Sequence, residues 1–176
     1  FDKFTSVPNK LGTQMKATGE CMGIGANLEE CILKSVRSLE IGVNHLYLSK
    51  FDSFTDAEIL EYIKEFHDDN AFAIAELLRR GHTTSELHEI TKITPLFLES
   101  IKKIVDYETV LAENPGDLEV LKEAKKMGFS DKYIARMWKC TELEVYNFRK
   151  DNKLFPVFRM VDTCHTNAYI PYFYSS

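Results

Sequence analysis

Paired cysteines, a surplus of basic residues and long apolar runs are all missing from this sequence, and each gap removes a class of protein. The 176-residue chain has four cysteines, Cys21, Cys31, Cys140 and Cys164, and no CxxC pair. Zinc sites are usually built from such close pairs, so no metal ligand set is expected. Free thiols in a reducing cytoplasm fit better than a disulfide framework. Acidic residues outnumber basic ones, 27 to 22, for a formal net charge of −5. Non-specific binding to nucleic acid relies on Lys and Arg neutralising phosphates, so the overall charge opposes it. No stretch nears the roughly 20 apolar residues that cross a bilayer, and FDKFTSVPNK lacks the apolar centre of a signal peptide. The first residue is not Met, which leads us to expect a processed, trimmed or excised segment.

Glycine is also scarce, and four of the eight, Gly12, Gly19, Gly23 and Gly25, fall in the first 26 residues. That part shows no helical stripe and suits short strands and turns. From Asn27 onward the pattern is helical. Leu28, Cys31, Ile32, Ser35, Val36 and Leu39 recur as one helix face, with Asn27 and Glu30 as its start signal and Gly42 as its stop. Thr55 with Glu58, Thr83 with Glu86, and Thr141 with Glu144 each have capping-box spacing. Thr94-Pro95 puts proline at a first helical position, where its missing amide costs nothing. Gly81 and Gly128 follow Arg79-Arg80 and Lys125-Lys126, basic pairs that suit helix C-termini. The chain is therefore expected to be all-α. About eight helices should fill residues 27–155, after a short β/coil segment at 1–26 and before an extended tail at 156–176, with no sheet beyond residue 26.

The region repeats weakly at an offset of 47. Glu76, Gly81, Lys92, Thr94 and Leu96 match Glu123, Gly128, Lys139, Thr141 and Leu143. Ile74, Thr83, Leu87 and Leu98 have similar partners in Leu121, Ser130, Ile134 and Val145. In GFSDKYIARMWKCTELEV, residues 128–145, this gives two short helices and a tight turn, the outline of a helix-turn-helix. A DNA-binding module is the alternative reading. In such modules the start of the second helix meets base edges, and here it carries Glu142 and Glu144, which repel phosphate. We expect scaffold instead, with Ile134, Met137, Leu143 and Val145 in the core. The tail PVFRMVDTCHTNAYIPYFYSS holds five aromatics and should lie against another domain or chain.

Other chemistry is thin. Gly23-Ile24-Gly25 has Leu28 where a dinucleotide loop needs its third glycine. Cys164 and His165 are neighbours, which in an extended chain point to opposite faces, against a thiol nucleophile with its base. His82 and His88 miss the i, i+4 spacing of helical metal ligands. His67-Asp68-Asp69-Asn70 reads as a solvated turn at a helix end.

TQMKATGECMGIG, Thr13 to Gly25, following Phe1-Asp2-Lys3-Phe4, resembles the close of the first ATP-grasp unit in the carbamoyl-phosphate synthetase large chain. AFAIAELLRRG, AKKMGFSDKYIAR, PVFRMVDTC and PYFYSS continue that likeness in order. The signature residues are Thr13, Gln14, Met15, Lys16, Gly19, Glu20, Gly25, Asp162, Thr163 and Cys164. The resemblance implies a helical oligomerisation domain between two synthetase units of one chain. The enzyme so implied is a ligase that makes carbamoyl phosphate from bicarbonate, glutamine-derived ammonia and two ATP, for pyrimidine and arginine synthesis. It implies ATP and Mg2+ or Mn2+ in those units and no cofactor, metal ligand or catalytic residue in this segment. The implied partners are the two synthetase units, a glutamine amidotransferase small subunit and further copies, with no nucleic acid or membrane. Glu20 would line the internal passage for carbamate, or else bond nearby backbone amides. Two places depart from the family pattern. Ala26-Asn27 stands where Arg-Thr is usual, with Asn27 keeping the helix cap, and His165-Thr166-Asn167-Ala168 replaces Ala-Ala-Glu-Phe.

Overall fold

A computed structural model of the chain describes residues 10, 12–13, 21–161 and 172–176. Helix α1, Leu28–Ser38, begins where Asn27 accepts a bond from the Glu30 amide at 2.8 Å. That side chain satisfies one of the amides left free in a first turn. The buried face of α1 is not the expected stripe. Leu33 and Val36 are buried together with Glu29 and Glu30, while Leu39 is exposed. Both carboxylates are drawn inward by partners. Glu29 faces Lys103 at 3.4 Å, and Glu30 pairs with Lys34 at 2.8 Å. The helix also stops before Gly42. Glu40 and Gly42 both take positive φ, 58° and 79°, and turn the chain into a loop that buries His45 and Leu46.

After a 3-10 turn at Ser49–Ser53, helix α2, Asp56–Tyr62, opens with the full Thr55–Glu58 capping box. Residues 67–70 then start a helix rather than end one, and they are less solvated than expected. His67 stacks on Tyr62 at 4.0 Å, and Asp69 accepts from the Tyr62 hydroxyl at 2.7 Å. Helix α3, Asn70–Arg79, buries Phe72, Ala73, Ile74, Ala75, Leu77 and Leu78, the all-round burial of a central helix. Helix α4, Thr84–Thr91, uses only half of its capping box. Thr83 accepts from the Glu86 amide, but the Glu86 carboxylate bonds His82. Helix α5, Pro95–Glu113, has proline in its first turn and no side-chain cap from Thr94. Its nineteen residues form the spine, packed against α1, α3 and α4 as well as the two helices that follow.

Those are α6, Leu118–Lys126, capped by Asp117, and α7, Asp131–Trp138, capped by Ser130. Helix α8, Glu142–Asp151, carries the full Thr141–Glu144 box and packs on α7. Helices α4 and α7 coincide when shifted by 47, and α5 and α8 start at matching positions. Lys92 and Lys139 end α4 and α7 in the left-handed region, and Gly81 and Gly128 do so before the caps. The weak sequence repeat is thus a repeat of helix boundaries.

Leu143 is not core. It is 65% exposed, as is its counterpart Leu96, whereas Leu98 and Val145 are buried. Residues two apart on a helix point about 200° away from each other, so Leu143 and Val145 cannot share the inner face. The expectation of no sheet after residue 26 also fails. Strands β1, Phe158–Met160, and β2, Phe173–Ser175, pair antiparallel, with Arg159 opposite Tyr174. Within the tail, the described residues 157–161 satisfy backbone groups by pairing with 172–176. In the first 26 residues the described structure includes one bridge, Lys10 with His67.

Candidate functional site

The first turns of α1 gather three parts of the chain that are remote in sequence. Glu30 accepts from the Ala26 amide at 2.6 Å and from the Ser176 hydroxyl at 3.3 Å. Lys34, one turn on, donates to the Ile24 carbonyl at 2.8 Å and to the Ser175 carbonyl. The segment entering the helical body and the strand pair leaving it are therefore clamped by the same i, i+4 ion pair. Arg37, nearly another turn on, donates to the Gly128 carbonyl at 2.7 Å, and Asn27 donates to the Lys126 carbonyl at 3.0 Å. These two tie the turn between α6 and α7 to the same helix.

Close approach makes glycine necessary at two of these contacts. A Cβ on Gly25 would lie 2.7 Å from the Glu30 carboxylate. One on Gly128 would lie 2.9 Å from the Glu30 Cα, at a φ of +88° that L side chains resist. Beyond that turn, Asp131 accepts from Lys125 at 2.9 Å and from two nitrogens of Arg149, joining α6, α7 and α8. Burial pushes the Lys125 ammonium pKa down, against the pull of Asp131.

A second charged cluster lies under α7. Arg79 forms a two-pronged bond to Glu108, both contacts at 2.8 Å, and His45 Nε2 lies 2.9 Å from the same carboxylate. Burial alone raises the Glu108 pKa, but the bonds from Arg79 and His45 outweigh it and hold the carboxyl below its ordinary value. Burial lowers the His45 pKa despite the bond to Glu108. The ring is stacked on Tyr133 at 3.7 Å. Arg79 also donates to the Leu46 carbonyl, and Arg80 to those of Phe51 and Phe54. The two arginines that read as favourable helix-end charges are in fact anchors for the loop before α2.

Of the signature residues, Gln14, Met15, Lys16, Gly19, Glu20, Asp162, Thr163 and Cys164 lie outside the described residues, as do His165 to Ala168. Thr13 is exposed in a bend, and Gly25 packs on α1. At the departure, Asn27 keeps its cap, and Ala26 contributes its backbone amide to Glu30. Sequence reasoning missed Lys34, Arg37, Asp131 and the His45–Arg79–Glu108 cluster. Only the i, i+4 spacing of Glu30 and Lys34 offered a local signal. Cys31 and Cys140 are part-buried free thiols, Cys21 is an exposed one, and burial raises the Cys140 pKa. Among the described residues no group of three or more His, Cys, Asp or Glu is arranged to hold a metal ion. Nor is any described helix long and apolar enough to cross a membrane.

The family model described as carbamoyl-phosphate synthetase large chain, oligomerisation domain, matches residues 20–153. That interval runs from the segment entering α1 to the end of α8, well over half of the chain. The chain belongs to the oligomerisation-domain family of the carbamoyl-phosphate synthetase large chain.

Proposed function

We propose that residues 27–155 are a non-catalytic linker and association domain that holds two synthetase units of one large chain in fixed relation. Residues 1–26 then close the first unit, and 156–176 lead to the second. The observation that carries this reading is the shared clamp on α1. Glu30 and Lys34 grip both the segment before the helical body and the strand after it. Two connections held on one helix turn keep a defined spacing, which a flexible linker would not. The parent enzyme makes carbamoyl phosphate from bicarbonate, ammonia and two ATP in the cytoplasm. Its ammonia comes from a glutamine amidotransferase small subunit. ATP and its metal ions belong to the synthetase units, and this segment performs no step on them.

Self-association uses apolar residues left outside the core. Leu96 at the start of α5 and Leu143 on α8 are exposed at corresponding places of the repeat, and each has an exposed aromatic near it, Phe97 and Tyr146. Phe155, Phe158, Tyr172 and Phe173 are exposed near the strand pair and suit contact with the following unit. Glu20 lines the passage between the two active sites, where a carboxylate keeps carbamate from picking up a proton. Light scattering across a concentration series tests association. Growth to a dimer or larger is expected, and a strict monomer at high concentration removes that part. ATP turnover by the isolated chain with bicarbonate and ammonia would overturn the scaffold role.

A further inference from the structure

An open-mouthed cavity of about 500 Å³ lies between the loop at 41–49 and α7. It lies away from the α1 clamp and plays no part in the scaffold role. Its volume is within the range of small-molecule sites, roughly 300–1,000 Å³. Two cations line it, Lys132 and Arg136, one turn apart on α7. No carboxylate is among its lining residues, and neither cation has a carboxylate partner among the described residues. Arg136 instead lies over the Tyr47 ring, 5.0 Å from its centre. The acids nearest by bonding are already engaged, Asp52 by the Tyr47 hydroxyl and Glu108 by Arg79 and His45. Ile41, Val43 and Leu48 supply apolar wall.

His45 also lines the cavity and is 2% exposed. An ionised Glu108 can only accept, so His45 Nε2 carries the proton of that bond. Its Nδ1 is then a bare lone pair, buried and without a partner among the described residues. Buried acceptors of this kind are almost always satisfied in folded proteins, because an unmet one loses its bonds to water for nothing in return. Two cations without a carboxylate partner among the described residues, together with an unmet acceptor, define a complementary guest. It carries about two negative charges at one end and a hydroxyl donor on a short carbon skeleton. A phosphate monoester has about −1.5 to −2 charge near neutral pH and three acceptor oxygens, which a single carboxylate cannot match.

We propose that this cavity binds a phosphate monoester of a small polyol or sugar, its phosphate on Lys132 and Arg136 and a hydroxyl donating to His45 Nδ1. Titration calorimetry of the chain at low ionic strength tests this. The probes are glucose 6-phosphate, ribose 5-phosphate and glycerol 3-phosphate, with glucose and inorganic phosphate as controls. At least one ester should bind, glucose should not, and inorganic phosphate should bind at least about tenfold more weakly, since it lacks the skeleton and its hydroxyl. The Lys132→Gln/Arg136→Gln variant should lose at least about tenfold in affinity for that ester. Its melting temperature without ligand should fall only slightly, because neither cation has a carboxylate partner among the described residues and the exposed Arg136 loses only its contact with Tyr47. In histidine-selective nitrogen NMR the ester should shift the Nδ1 resonance of His45. The proposal is overturned if none of the three esters binds, or if inorganic phosphate binds as tightly. An unaffected double variant, or an unmoved His45 resonance, overturns it equally.

Discussion

Helices α3–α5 and α6–α8 follow the same plan but bear different loads. Both triads bend at a left-handed glycine, start their second helix on a hydroxyl cap and end it on a left-handed lysine. In the first triad, α5 runs nineteen residues and buries Leu98, Ile101, Ile104, Val105 and Leu111. In the second, α8 has ten residues and Val145 as its buried side chain. Helix α5 is the centre of the core and α8 lies at its edge, although their local start signals are closely alike. Caps and turn glycines specify where backbone segments start and stop; the load on each segment depends on what lies around it.

Replacing equivalent residues should break this likeness, most strongly in the core. Leu98→Ala should destabilise the fold by ~2–5 kcal/mol, by lost transfer energy plus a cavity. Val145→Ala, with two fewer methyl groups at the matching site, should cost ~1.5 kcal/mol. Leu96→Ala and Leu143→Ala should stay within about 0.5 kcal/mol. Urea unfolding at low protein concentration measures all four. A large loss at Leu143 would mean that its face is covered after all.

The glycines should separate next. Gly81 and Gly128 share a positive φ, but only Gly128 touches another element, through Glu30. Gly81→Ala should cost about 1–2 kcal/mol for the left-handed backbone alone. Gly128→Ala should cost at least about 1 kcal/mol more, because the Glu30 backbone must move. Equal losses in thermal or urea unfolding would show that the turn against α1 yields freely.

The smallest effect concerns pH. His82 precedes α4 and bonds Glu86 at 3.0 Å and Asp56 at 3.3 Å, while its counterpart by the repeat is the buried Phe129. The bond from Glu86, and then the one from Asp56, raise the His82 pKa against partial burial. A raised folded pKa gives stability that is fully present below the unfolded value, about 6.5, and lost as pH rises through the folded value. The stability gap between the native chain and a His82→Gln variant should therefore shrink from about pH 5.5 to about pH 8.5. A gap that widens would place the charged imidazole in an unfavourable field.

Much of the helical body was readable because its signals are local. Asn27, Thr55, Ser130 and Thr141 cap helices through bonds spanning three residues, and those residues meet whatever surrounds them. Misreadings came where two local patterns competed. The stripe on α1 placed Leu39 inside, yet Glu29 and Glu30 hold the inner face through Lys103, Lys34 and the Ala26 amide. Leu143 looked apolar enough for the core, but its angle on α8 turns it outward. The clamp and the cavity were less legible still. Glu30 meets Ser176, and His45 meets Glu108, across long stretches of chain that carry no periodic sign of each other.

By itself the sequence determined the helix starts, the turn glycines, the repeat and the family likeness, since each rests on residues within a few positions or on an ordered set of motifs. Only the tertiary structure decided that Arg79 and Arg80 anchor a loop and that Glu30 and Lys34 gather both ends of the helical body. It alone left Lys132, Arg136 and His45 around one cavity. Charges and lone pairs find their partners through space, and the distances that govern those encounters are set by packing rather than by chain order.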